Sequence, residues 1–371
     1  MEKAIAHPVG RLVSLDVMRG LIMILLAGES CEVWSALSDM PFPPGADWFL
    51  DQFFHHPWHG LHLWDLIQPA FMLMAGSAMY ISYQSKLKKG ITWGQNFKHI
   101  AIRALKLFLL GTGLHCIYAG KLVFELWNVL TQLSFTTLIA YLIINRSFWF
   151  QLGASVVLLL ITEALYRMAL HPGFDQPFTE YHNFGAYLDT VLMGKINHGG
   201  WVAINIIPTA AHTIWGVLAA KLLMQPIYSQ RKIIYLLIAG VVGLALGFGL
   251  DTAHITPIIK RISTSTFVLA SGGWVLLFMA FLYWLVDVRQ KTKYAWIFTV
   301  VGMNSIFIYL FFETVGGQWF NGAVAIFVKG GLALAIGDHH SIIALISALA
   351  TLFLEWYLCY WLSKRKVFIK I

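Results

Sequence analysis

IIYLLIAGVVGLALGFGL, residues 233–250, runs for eighteen residues without a charge. About twenty apolar residues in a helix cross the hydrocarbon of a bilayer, so such a run reads as a membrane span. Arg231 and Lys232 stand just before it and Asp251 directly after it, which marks its two ends. Further apolar runs lie near 15–36, 62–84, 99–118, 122–144, 148–168, 201–224, 264–287, 294–313 and 342–362. The expected fold is all-α: a polytopic membrane helix bundle of about ten transmembrane helices. The stretch 319–337 is apolar but Gly-rich and interrupted by Lys329, so it is expected to be a partial or interfacial segment.

Composition agrees with this class. Of 371 residues, 58% are hydrophobic and 12% charged, where a soluble domain is about half apolar and a quarter charged. No stretch has the composition of a soluble domain, and residues 1–371 read as one transmembrane domain. The opening MEKAIAHPVGRLVSLDVMRG lacks a small-residue cleavage site after its first apolar stretch, so a retained first span is expected. Gly240, Gly243, Gly247 and Gly249 are expected to permit close helix packing.

The 26 Lys and Arg against 18 acids give a formal charge of +8. In a soluble protein this would raise nucleic acid as a partner, but here the basic residues lie in short segments between apolar runs. With ten spans and an inner N-terminus, 20 of them fall on the inner side and 6 on the outer side. That bias places both termini in the cytoplasm. The outer loop 37–61 has no Lys or Arg and carries Asp39, Asp47 and Asp51.

Ionisable groups within apolar spans are costly, and each is a candidate for function. In SLDVMRG, Asp16 and Arg19 are one helical turn apart, which a local ion pair would explain; Glu29 and Glu32 follow near the outer end of the same run. HHPWHGLHLWD, residues 55–65, holds four histidines, two tryptophans and Asp65. An imidazole titrates near neutrality, so this segment could supply a general base oriented by Asp65 or Glu29. His55/His59 and His59/His62 also have zinc-ligand spacing, but Pro57 and Gly60 break any helix there and no HExxH frame occurs, so no metal is expected. Asn205, Pro208 and His212 fall within one span, and Asn304 within another. Lys260 and Arg261 stand on the outer side against the charge bias, which invites an anionic ligand or an acidic partner such as Asp251. Cys31, Cys116 and Cys359 are widely spaced and form neither a disulfide framework nor a zinc ribbon.

Several motifs occur in a recognisable order: RLVSLDVMRGLIMILL, HHPWHGLHLWDLIQPAFMLMAGSAM, NVLTQLSFTTLIAYLI, IPTAAHTIWGVLAAKLL, then KRISTSTFVLASGGW, LVDV and VGMNSIFIYL. From Arg11 to about Leu310 the chain resembles the heparan-α-glucosaminide N-acetyltransferase family, above all its bacterial members. The resemblance implies a membrane acyltransferase that moves acetyl from cytosolic acetyl-CoA to an amino sugar or related glycan across the bilayer. It implies His55, three residues ahead of Trp58, as catalytic base or acetyl carrier, with Asp65 as the carboxylate that orients it. Phe54, His56, Pro57 and His59 depart from the eukaryotic residues in this loop.

Arg19 is the candidate contact for acetyl-CoA, and Glu29, Trp58, Asn205, Lys260, Arg261 and Asn304 are candidates for the acceptor pocket. A homodimer in a bacterial inner membrane is the implied setting. The alternative function is a transporter or exporter of a glycan precursor or lipid-linked metabolite, since both classes gather polar residues near the midplane. The His55 segment, and the lack of a visible inverted repeat, favour the enzyme.

Overall fold

A computed structural model describes residues 12–43, 45, 47–337 and 339–369. Residues 1–11 of the N-terminal stretch read as retained, with Lys3 and Arg11, and Lys370 at the other end lie outside the described residues. The described residues form helices and no strands. Six helices are long and apolar enough to cross a membrane: Trp93–Ala119, Phe148–Met168, Ala203–Met224, Ser229–Thr252, Ser265–Val288 and His340–Lys364. A seventh is added if Ala295–Gly302 and Ser305–Leu334, bent by 72° where they meet, form one broken span.

The lipid requirement is plainest in Ser229–Thr252. Its best window has a mean hydropathy of 2.5, yet only 17% of that window is buried. A helix apolar on every side and exposed on most of them would be untenable in water and is at home in hydrocarbon. The chain is an integral membrane protein.

Local chemistry sets many helix ends. The Thr92 hydroxyl accepts from the Gln95 amide while Gln95 caps the Thr92 backbone, which starts Trp93–Ala119. Ser147, Asn128 and Asn183 cap Phe148–Met168, Val129–Leu142 and Phe184–Met193 by accepting a backbone N–H of the first turn. The run expected to span 122–144 is thereby cut to fourteen helical residues, about 21 Å of rise. Val13–Ser30 ends at Cys31, and the chain turns through Glu32 at φ 66° before the short helix Val33–Ser38, so the run at 15–36 is not one straight helix.

The residues divide into two compact units. The first holds residues 56–61 and 65–280. Within it Ile67–Leu87 and Ile206–Met224 cross where a Cβ on Gly76 would strike the Thr213 carbonyl and one on Gly216 the Leu73 carbonyl. Ser77 Oγ donates to the Gly216 carbonyl at 2.8 Å, so the crossing is a backbone contact with its own hydrogen bond. Gly240, Gly243 and Gly247 likewise admit the backbone of Ser265–Leu282, whereas Gly249 faces open space.

The segments that carry the candidate residues of this unit collect at one end of it. Asp65, the 163–167 turn of Phe148–Met168, the start of Ala203–Met224 and residues 251–265 are tied together there. At the other end Lys86 donates to Asn96, Lys221 to the Arg146 carbonyl and Lys232 to the Leu223 carbonyl. The basic segments therefore share one end of the unit and the histidine segment the other.

The second unit holds the described residues 12–55, 62–64 and 281 onward. Val13 and Ser14 donate their backbone N–H groups to the Asp287 carboxylate at 3.1 and 3.2 Å, which satisfies orphan donors at the start of Val13–Ser30. Gly20 sits against the Phe298 carbonyl, so the glycine of the VMRG motif is needed for helix contact. The break between Ala295–Gly302 and Ser305–Phe311 falls at Asn304, inside the run expected to be straight. The Gly-rich stretch that follows forms the helix Asn321–Ile336, sixteen residues long and not among the six spans.

Candidate functional site

Residues 56–61 leave the helical register at Pro57 and Gly60 and lie along residues 257–261. Gly60 donates its N–H to the Ile258 carbonyl at 2.9 Å, and His59 pairs with Ile259 in an isolated antiparallel bridge. The pairing brings His59 to a carboxylate: Nε2 meets Asp251 Oδ1 at 2.7 Å, and the same oxygen accepts from the Ile258 N–H at 3.0 Å. The His59 side chain is 55% exposed, so the imidazole is both oriented and reachable. An imidazole held by a carboxylate and open to a second molecule has the geometry of a general base.

Beneath this surface Asp65 is sealed in. Its carboxylate meets Lys260 Nζ at 3.4 Å and accepts from the His56 backbone N–H at 3.3 Å. The Lys260 ammonium also lies over the Trp201 ring, 5.4 Å from its centroid. Two opposite charges taken out of water together depend on close geometry and added contacts to offset desolvation.

Arg261 faces the other way. Its guanidinium donates to Glu180 Oε1 at 3.1 Å and to the Gly199 carbonyl at 2.8 Å. The outer basic pair therefore has acidic partners, but they are Asp65 and Glu180; Asp251 serves His59. Asn205 holds this corner by donating to the Arg261 carbonyl at 2.8 Å, and its buried Oδ1 has no hydrogen-bond partner. Trp58 donates Nε1 to the Phe178 carbonyl at 2.9 Å and packs beside Gly200, whose φ of +71° and close neighbours leave no room for a side chain. The first unit thus brings Trp58, Asp65, Asn205, Lys260 and Arg261 to one end.

The remaining candidates belong to the second unit. His55 is exposed and follows a pinned stretch: the Phe54 carbonyl accepts from His62 Nδ1 at 3.0 Å, the Gln52 side-chain carbonyl accepts from the Leu63 N–H, and the Gln52 backbone carbonyl accepts from the Trp64 N–H. Arg19 pairs with Asp16 at 3.4 Å, the local bridge its spacing predicts. Glu29 lies on an exposed face of the last turn of Val13–Ser30. Asn304 donates to the Val367 carbonyl at 3.1 Å and accepts from the Ile369 N–H at 3.0 Å, tying the C-terminal segment to the helix break.

Sequence reading misses a further set in the first unit. Glu125 bridges His115 Nδ1 and Lys195 Nζ, each at 2.5 Å. Beside it the buried Asp189 carboxylate accepts from Trp127 Nε1 at 2.7 Å and from the Ala203 N–H at 3.0 Å. Burial pushes the Asp189 carboxyl up to about 6, against the pull of those two donors. No spacing rule could join positions 115, 125 and 195, because only the packing of three separate segments brings them together. Among the described residues, no three His, Cys, Asp or Glu side chains converge as a metal site. No known protein-family model matches the chain, and no characterised protein matches it either.

Proposed function

We propose that this protein is a membrane acetyltransferase that carries acetyl from cytosolic acetyl-CoA to an amine or hydroxyl of a sugar on the far side of a bacterial inner membrane. The proposal includes a ten-span topology with both termini in the cytoplasm. The observation that carries it is the division of the first unit: basic segments at one end, and at the other a histidine segment with an accessible, carboxylate-paired imidazole, His59–Asp251. The basic end suits the phosphates of the coenzyme. The histidine end suits deprotonation of an acceptor.

In this reading His55 is the base, with a neutral imidazole. It takes the proton from the acceptor nitrogen or oxygen as that atom bonds to the acetyl carbonyl carbon. The carbon–sulfur bond breaks, and the coenzyme leaves as a thiolate that takes up a proton. In the variant route His55 carries the acetyl on a ring nitrogen between two such exchanges. Asp65 is assigned as the orienting carboxylate; its hydrogen bond to the His56 N–H also fixes the backbone next to His55.

The broken span at Asn304 favours a second reading, a transporter of a glycan precursor, because transporters build sites from interrupted helices. Calorimetry of acetyl-CoA and CoA against the purified protein separates the two. Saturable binding, followed by acetylation of an amino sugar, supports the enzyme. No binding by folded protein, with uptake of a glycan precursor into proteoliposomes, supports the transporter.

A further inference from the structure

Glu355 lies well inside the apolar helix His340–Lys364, and its side chain is sealed from the surface. Neither carboxylate oxygen meets a nitrogen or oxygen donor; only the weakly donating Cys31 thiol lies alongside. Asn321 is oriented by its own donation to the Ser30 carbonyl at 2.6 Å, which leaves its buried Oδ1 without a partner as well. These acceptors converge on Gly316: a Cβ there would sit 3.0 Å from Glu355 Oε1 and 3.6 Å from Asn321 Oδ1. Gly316 lies in the π-helical turn Phe312–Phe320, a distortion that often accompanies function.

Glu355 also lines a cavity of about 450 Å³ walled by Phe311, Phe320, Tyr357, Leu358 and Trp361. Its size is at the lower end for ligand pockets, and its walls are aromatic and aliphatic. The Tyr357 and Trp361 side chains are partly exposed on the apolar outer face of this helix, so the cavity adjoins the lipid. A carboxylate left alone at this depth is costly, and a cationic partner removes that cost.

We propose that this cavity binds a membrane amphiphile with a protonated primary amine on a single apolar chain. An ammonium has three N–H donors and no acceptor, which matches two carboxylate oxygens and one amide oxygen that lack an N–H or O–H donor. The apolar walls take the chain. The site stands independently of the acetyltransferase and transporter readings.

The test uses the full chain in phosphatidylcholine nanodiscs, titrated with octadecylamine, octadecanol or stearic acid, with bound ligand counted by native mass spectrometry. Octadecylamine is expected to saturate at one per chain and to bind about tenfold or more tighter than the alcohol or the acid. Glu355→Gln should weaken amine binding by a similar factor and leave alcohol binding unchanged. Leu358→Trp, which fills the cavity, should abolish binding of the amine. The proposal is overturned by equal binding of all three headgroups, by a preference for the acid, or by no saturable binding. Amine binding unchanged in either variant overturns it too.

Discussion

The Asp65 carboxylate and the Lys260 ammonium stand 3.4 Å apart with side chains only 1% and 6% exposed, although 195 positions separate them in the chain. This pair fastens the histidine segment to residues 257–261. Removing one partner strands the other charge in a site closed to water. Asp65→Asn or Lys260→Met should each destabilise the protein by about 3–5 kcal/mol, and the double variant Asp65→Leu/Lys260→Met should recover most of that loss. Thermal unfolding of the purified variants checks it. Additive losses in the double variant would show that the two charges act separately.

His55 and His59 lie four residues apart but have different surroundings. His55→Ala should lower acetyl transfer by about 10²–10⁴, the usual effect of losing a general base. His59→Ala and Asp251→Asn should have smaller effects, equal to each other because the two side chains act as one unit. Steady-state rates of the three variants decide this. Near-normal turnover by His55→Ala would remove the assignment, and a larger loss in His59→Ala would transfer it to His59.

Asp189 gives the protein a predictable pH dependence. Its carboxyl titrates near 6 in the folded chain because it is buried, above the ordinary value of 3.8. Between about pH 4 and 6 the folded state holds a proton that the unfolded state has released. Stability should therefore fall as pH rises through that window, by at most about 3 kcal/mol, and level off above it. Asp189→Asn should flatten this part of the profile in unfolding measurements from pH 4 to 7. A profile identical to that of the unaltered protein would contradict the shift.

The crossing at Gly76 and Gly216 tolerates no side chain, while Gly249 has open space around it. Gly216→Ala should cost about 2 kcal/mol or more, since the added carbon meets a backbone carbonyl that cannot turn aside. Gly249→Ala should be neutral or slightly stabilising, because alanine is the better helix former. Unfolding temperatures of the two variants, measured side by side, test the contrast.

The membrane class and most span positions were legible in the order of residues. Hydrocarbon forces each span to satisfy its own backbone, so the signal is local: an uninterrupted apolar run such as 233–250. The role of Gly20 in VMRG and of Asp287 in LVDV could not be read this way, because each serves a helix distant in sequence. Glu355 did leave a trace, as the one charge in the run 342–362, but nothing in that run tells that its carboxyl lacks a nitrogen or oxygen donor or that a cavity adjoins it.

The order of residues is enough to say that the chain lives in a membrane, that it is helical, and which residues are too polar to be there without cause. Tertiary structure alone decided who answers whom: Asp65 with Lys260, Glu180 with Arg261, Asp251 with His59, and Glu125 between His115 and Lys195. The reason is one of range. Apolar transfer and backbone hydrogen bonding are settled within one helix, whereas a buried charge is stabilised by whichever neighbour packing brings within a few ångströms.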